Sequence, residues 1–448
     1  MTGSRGATTF GNSVNVASVA DTGSTAINGG GVATSAGQSY NGAVTLGADA
    51  ANSGTTINYG GTVSGAFNLA DGGSTTFGKS VNVASVTDTG STAINGGGVT
   101  TSAGQSYNGA VSLGADAANS GTTINYGGAV SGAFNLADSG PGGSATSTTF
   151  GKSVNVASVS DTGSTAINGG DVTTSAGQSY GGDVTLGADA TLNGTGIGLL
   201  GGVTFNGDFL VLNNSGQATF GGTFDQFNLI TFNRSMSLSS DTTLDGTKYT
   251  LPAVDGTVAG SQSLTANGQV TFGGAVGGNI ALKNVTVVDP DAFTLNQAMT
   301  GTGELSITAG EGSGNGVTVI NQSINGPAVT FSDLHLIAEG EYQDIEFLCQ
   351  QNKIGNIAKD YTKAQTASPS ALFVTGLYGG GNIWVSGVDY PVQAADIQGG
   401  VNNQLASALA EIRPEPKKAA LTITNEPSQV SIPLPPGYIL RSSQVGLE

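Results

Sequence analysis

Short alternations of apolar and polar residues recur along the first 200 residues, each closed by a turn signal. Val14 and Val16 flank Asn15, and Val44 and Leu46 flank Thr45. A period of two marks half-buried strands. Between the strands lie Asp21-Thr22-Gly23, Asn28-Gly29, Asn41-Gly42, Asn52-Ser53-Gly54 and Asp71-Gly72-Gly73, all residue types that favour tight turns. The first 300 residues carry no helical period. The one helix candidate is Asn403 to Arg413, stopped by Pro414.

These alternations belong to a longer repeat. Thr8-Thr9-Phe10-Gly11 returns at Thr75 and at Thr148, with spacings of 67 and 73 residues. The second spacing is stretched by an insertion around Ser139-Gly140-Pro141-Gly142-Gly143, and the third copy runs to Asp189-Ala190 before diverging. Phe10, Val14, Val16, Val19, Ile27, Val32, Tyr40, Val44 and Leu46 are identical in all three copies and are expected to face inward. Asn12 becomes Lys79 and Lys152, Ala20 becomes Thr87 and Ser160, and Ala43 becomes Asp183. Charge is tolerated only where a side chain points to solvent. Apolar landmarks at Phe10, Ile27, Tyr40, Ile57 and Phe77 suggest four coils of about 17 residues per repeat, with three coils of about 22 as the alternative.

Short strands, frequent turns and serial repetition predict an all-β fold, a parallel β-helix, over a rival barrel or sandwich. Each coil would sit about 4.8 Å above the last, giving roughly 23 coils over about 395 residues and a rod on the order of 110 Å. Three regions are expected. Residues 1–200 hold the near-identical repeats, and 201–395 hold degenerate coils, with strand, turn and strand from Ser261 to Gly277. Residues 396–448 hold the short helix and a tail with Pro414, Pro416, Pro427, Pro433, Pro435 and Pro436.

Composition narrows the picture further. Charged residues are 10% and glycines number 74, against about 25% charge in ordinary domains, so the core is expected to be narrow. The net charge of −18 disfavours nucleic acid and anionic membrane as partners, since both need a basic surface. Cys349, the single cysteine, has no internal disulfide partner, which leaves stability to stacking. No apolar run approaches the roughly 18 residues of a membrane span. Met1 to Arg5 lacks the apolar region of a signal peptide.

Gly23 to Gly30, Gln38 to Asp49 and Val270 to Gly277 resemble coils of filamentous-hemagglutinin-type bacterial adhesins. Ile354-Gly355-Asn356, Ala371 to Val374 and Gly381 to Val385 resemble later coils of that family. The resemblance covers about residues 8 to 390. It implies a right-handed parallel β-helix on the bacterial cell surface, monomeric and non-catalytic. Such a rod would attach to glycans or proteins of host or neighbouring cells. The family's secretion domain and a C-terminal barrel have no counterpart in this sequence. A phage or secreted β-helical fibre acting on glycans, and a surface-layer or matrix protein, stay open beside it.

Two motifs look catalytic. Gly73-Ser74-Thr75-Thr76-Phe77-Gly78-Lys79-Ser80 fits the phosphate-cradling loop, which needs a helix N-terminus behind it. Here Val81-Asn82-Val83 continues as a strand, and Asn12 replaces the lysine in the first copy. Asp21-Thr22-Gly23-Ser24, repeated at Asp88 and Asp161, matches the loop of aspartic proteases, where two carboxylates about 3 Å apart share a proton. Four coils would hold successive copies about 19 Å apart on one face, so an Asx turn is the expected role. His335 is the only histidine, which excludes a histidine cluster or a Ser-His-Asp triad. The Asp residues do not follow the calcium-coil pattern, although isolated calcium sites at Asp-Gly turns are conceivable. No catalytic, cofactor or metal residue is therefore expected.

Overall fold

The computed structural model describes residues 2–4, 6–143, 146–289, 293–295 and 297–309, and beyond them strands between 318 and 431. It is a parallel β-solenoid of about 15 turns across residues 8–308, with essentially no helix. A 3-10 turn at Pro141–Gly143 is the only helical element among the described residues. The helix expected at 403–413 lies outside them, as does most of the Pro-rich tail. The chain falls into two compact units, Met1–Thr219 and Phe220–Glu448.

In the first unit every turn contributes one short strand to each of three parallel ladders. Thr8–Phe10 pairs with Thr25–Ile27, which pairs with Val44–Leu46. Val19–Asp21 pairs with Gly37–Tyr40, and that strand with Thr56–Tyr59. Asn68–Asp71 pairs with Ser85–Asp88, and that with Gly104–Tyr107. Turn length follows from these registers: Thr8 faces Thr25, Thr25 faces Val44, and Val44 faces Val63.

Such turns, of about 18 residues, correct the four-coil count and exclude the three-coil one. From Thr8–Phe10 to its copy Ser74–Phe77 the chain advances eleven strands. With three strands per turn, one repeat makes three and two-thirds turns. The copies therefore do not lie above one another on one face. Phe10, Phe77 and Phe150 sit in three different ladders, and so do Asp21, Asp88 and Asp161. The landmark spacing misled because Tyr40 and Ile57, read as successive coil markers, belong to different columns: Tyr40 stacks on Tyr59, and Ile57 on Gln38.

Burial follows the expected inward list. Phe10, Val19, Ile27, Val32, Tyr40, Val44 and Leu46 are buried, whereas Asn12, Lys79, Lys152, Ala43 and Asp183 are exposed. Val14 and Val16 are only half-buried, although their copies Val81, Val83, Val154 and Val156 are buried. Among the described residues strand Val14–Val16 pairs on one side only, with Val32–Thr34, while Val81–Val83 lies between Val63–Ser64 and Val99–Thr101. Glycine allows the turns to nest. A Cβ on Gly29 would come within 2.1 Å of the Asn12 backbone, and one on Gly96 equally close to that of Lys79. The six-residue stretch of the insertion is accommodated at a corner: Tyr126 still stacks on Phe150 in register.

The second unit keeps parallel pairing with longer strands. Met236–Leu251 pairs with Leu264–Phe272, which pairs with Val285–Asp289, and that with Glu304–Ala309. The expected strand, turn and strand over 261–277 is instead one strand bent at Gly268, whose φ of +104° is open to glycine at little cost. Aromatic edges fill this core: Phe220 meets Phe224 and Phe232, and Phe227 meets Tyr249, at ring separations of 4.9–5.7 Å. His335 lies on strand Val329–Ala338.

Val83 is 3% exposed and its neighbour Asn82 is exposed. Val83→Asp would bury an unpaired carboxylate, a penalty of several kcal/mol. Because turns contact only their neighbours, the damage should stay near residue 83. Limited proteolysis with fragment mass analysis should find a new cleavage there in Val83→Asp and none in Asn82→Asp. The reverse result would invert the inward register.

Candidate functional site

The segment that fits a phosphate loop does not form one. Ser74–Phe77 and Val81–Val83 are both strands, Lys79 is exposed at the turn between them, and no helix N-terminus stands behind it. The Asp-Thr-Gly-Ser segments are Asx turns: the Gly23 N–H donates to Asp21 Oδ1 at 3.0 Å, Gly90 to Asp88 at 2.9 Å and Gly163 to Asp161 at 3.0 Å. Thr25, Thr92 and Thr165 donate their hydroxyls to the second oxygens at 2.6–2.8 Å. These three aspartates are buried and face inward from three different ladders.

Exposed aspartates have a different task. Asp49, Asp116 and Asp189 each accept the backbone N–H of the next coil, at Asn68, Asn135 and Phe209, all at 2.9 Å. Among the described residues no three His, Cys, Asp or Glu side chains gather as metal ligands.

The residues that sequence reasoning missed lie in the interior. In-register stacking assembles one column as Asn52, Asp71, Asp88, Tyr107, Tyr126, Phe150, Ile167 and Leu186. A second column runs Asp21, Tyr40, Tyr59, Phe77, Ile94 and Leu113 on another ladder. The third runs Asn119, Asp138, Asp161, Tyr180 and Leu199. The same order thus recurs on each ladder, every column drawing on successive copies. Tyr40, Tyr59 and Phe77 stack at 5.6 and 5.7 Å, and Tyr107, Tyr126 and Phe150 at 5.6 Å.

Hydrogen bonds tie the columns together. Asn52 Nδ2 donates to the Tyr59 hydroxyl at 2.8 Å and to Asp71 Oδ1 at 3.2 Å, while Tyr59 donates to Asp71 Oδ1 at 3.0 Å. Asn119, Tyr126 and Asp138 repeat this arrangement at the same distances. Gln38 Nε2 donates to the carbonyls of Val32 and Ser53, both at 2.8 Å, and its Oε1 accepts from the Tyr40 hydroxyl at 2.8 Å. Burial pushes the carboxyls of Asp71 and Asp138 up to about 7, against the lowering pull of the Asn and Tyr donors, with a neighbouring aspartate adding to the rise. The signal was present in the strands: Asp71 shares an alternation with Leu69, and Asp21 shares one with Val19.

Outward positions are also columnar. Ser39, Asn58, Thr76 and Ala93 stack in register, and the next copy sets Ser106, Asn125, Thr149 and Ala166 on a different ladder. Comparison with protein-family models, with curated proteins and with solved structures gives no significant match.

Tyr59→Phe removes one donor from Asp71 and the acceptor of Asn52. Leaving buried polar groups unpaired costs about 1–3 kcal/mol, so the unfolding free energy from denaturant titration should fall by that amount. Lys79→Ala should change stability by less than about 0.5 kcal/mol. Equilibrium dialysis with ATP should register no difference between Lys79→Ala and the parent protein; stoichiometric binding lost in the variant would restore the phosphate loop.

Proposed function

We propose that this chain is a segment of a non-catalytic surface fibre, an adhesin-like spacer acting outside a bacterial cell. Its partners are glycans or proteins of a host or neighbouring cell. The observation that carries this reading is the outward columns. The first repeat presents a row of hydroxyl and amide side chains, Ser39, Asn58 and Thr76, and the fractional turn count sets the matching row of the second, Ser106, Asn125 and Thr149, on a new ladder. A partner then meets the same chemistry on more than one side of the fibre.

Several features support it. Chemically potent residues are turned inward or spent on structure: the buried aspartates hold turns and columns, and exposed Asp49, Asp116 and Asp189 hold the next coil. The outward surface offers Ser, Thr and Asn, which hydrogen-bond to sugar hydroxyls or peptide groups without a strong field. Resemblance of the coils to filamentous-hemagglutinin-type adhesins points the same way and suggests the extracellular setting.

The test is binding of fluorescently labelled full-length protein to glycan arrays and whole cells, alone and clustered on beads. Retention that rises on clustering, with no sugar released, is the expected outcome. Release of reducing sugar ends would replace the proposal with a glycan-active fibre. No retention in either format would leave a purely structural matrix role.

A further inference from the structure

We propose that each stacked acid pair at a repeat junction, Asp71 with Asp88 and Asp138 with Asp161, is a proton-binding site. It holds one proton at neutral pH and gives it up as the pH rises, loosening the solenoid at these junctions.

The geometry is specific. Asp71 and Asp88 are in-register partners on neighbouring turns, as are Asp138 and Asp161, which places their backbones about 4.8 Å apart. One member ends a copy and the other begins the next. Asp71 and Asp138 are 2% exposed and Asp88 is fully buried. Oδ1 of Asp71 accepts from Tyr59 and Asn52, but Oδ2 is buried with no hydrogen-bond partner, and Oδ2 of Asp138 is in the same state. A bare carboxylate oxygen in that position is costly, and a proton on it turns the orphaned acceptor into a donor facing an acid.

Every group around the pair is acidic or neutral. Facing Asp71 are Asn52 below, Asp88 above, Tyr59 across the core, and Tyr40, whose hydroxyl feels its charge. Facing Asp138 are Asn119, Asp161, Tyr126 and Tyr107. Lys79 and Lys152 point to solvent. Two like charges this close in a dry core do not both ionise. Burial raises Asp88 and Asp161 as well, although the turn donors at Gly90 and Gly163 and the threonine hydroxyls oppose it.

Two internal comparisons single out the pairs. Asp21 occupies the Asp88 position of the first copy, and its partner strand Thr2–Ser4 sets Ser4 opposite it. Burial raises its carboxyl, yet hydrogen bonds from Thr8, Gly23 and Thr25 outweigh that and hold it below the ordinary value. Where the third copy diverges, no fourth aspartate stands ready to be faced. There the Asn and Asp positions become Leu192 and Leu212, stacked in register and buried.

The folded acids at about 7 lie above the ordinary 3.8 of the unfolded chain. Between those values the folded state binds more protons, so stability falls as the pH rises. The contribution is complete below about pH 4 and lost as the pH passes 7.

The experiment is thermal unfolding of the full chain at pH 5 and pH 8, with the Asp71→Asn/Asp138→Asn double variant beside it. Infrared spectroscopy at pH 7 reads un-ionised carboxyls directly. The wild type should melt several degrees higher at pH 5, the variant should melt alike at both pH values, and the variant should lose an un-ionised carboxyl band. Equal wild-type midpoints, or a pH response that survives in the variant, would overturn the proposal. So would calcium chloride stabilising the wild type but not the variant at pH 8, because the pair would then hold a cation. If the variant does not fold, absence of the band in the wild type at pH 7 overturns it alone.

Discussion

Parallel, in-register stacking is the constraint on which everything else in the first unit depends. Each turn hydrogen-bonds to the one before at a fixed rise, so each side chain meets one in-register partner above and one below. A column then tolerates only residues that stack well on their neighbours. Tyrosine on tyrosine on phenylalanine satisfies that, as does valine on valine. Aspartate on aspartate satisfies it only with a proton between them.

The repeat and the turn are incommensurate. Eleven strands per repeat distributed over three ladders mean that no copy stacks on its own image. The column that starts at Asn52 takes Asp71 from the same copy, Asp88, Tyr107 and Tyr126 from the second, and its last members from the third. Residues at a junction therefore take partners from the neighbouring copy, as Asp71 does from Asp88. Where the third copy diverges after residue 190, Leu192, Leu199 and Leu212 stand where the earlier copies carry polar members.

Much of this was legible beforehand. Alternation around Val81 and Val83, and exchange of Asn12 for lysine, gave strands, parallel solenoid class and facing. Turn length was not legible, because apolar landmarks such as Tyr40 and Ile57 lie on neighbouring columns and their spacing measures no turn. The buried polar residues escaped for a different reason. Asp71 and Asp21 stand beside Gly-rich turns and look like turn residues; Asp21 is one, yet its side chain is also inside. Only the Leu69/Asp71 and Val19/Asp21 alternations betrayed them. The outward chemistry was readable residue by residue, but its distribution over three ladders required the turn count.

That turn count also underlies the proposed fibre, since it sets one repeated surface on more than one side. Spin-label distances test it directly. Thr87, Ser106, Asn125, Thr149 and Ala166 climb one ladder in register, so labels at Thr87 and Ala166 stand four turns apart, about 19 Å between backbones. Ser160 is the repeat equivalent of Thr87 but lies on another ladder. The account predicts that the Thr87–Ser160 distance exceeds the Thr87–Ala166 distance. The opposite order, with Ser160 directly above Thr87, would restore a whole number of turns per repeat and contradict it.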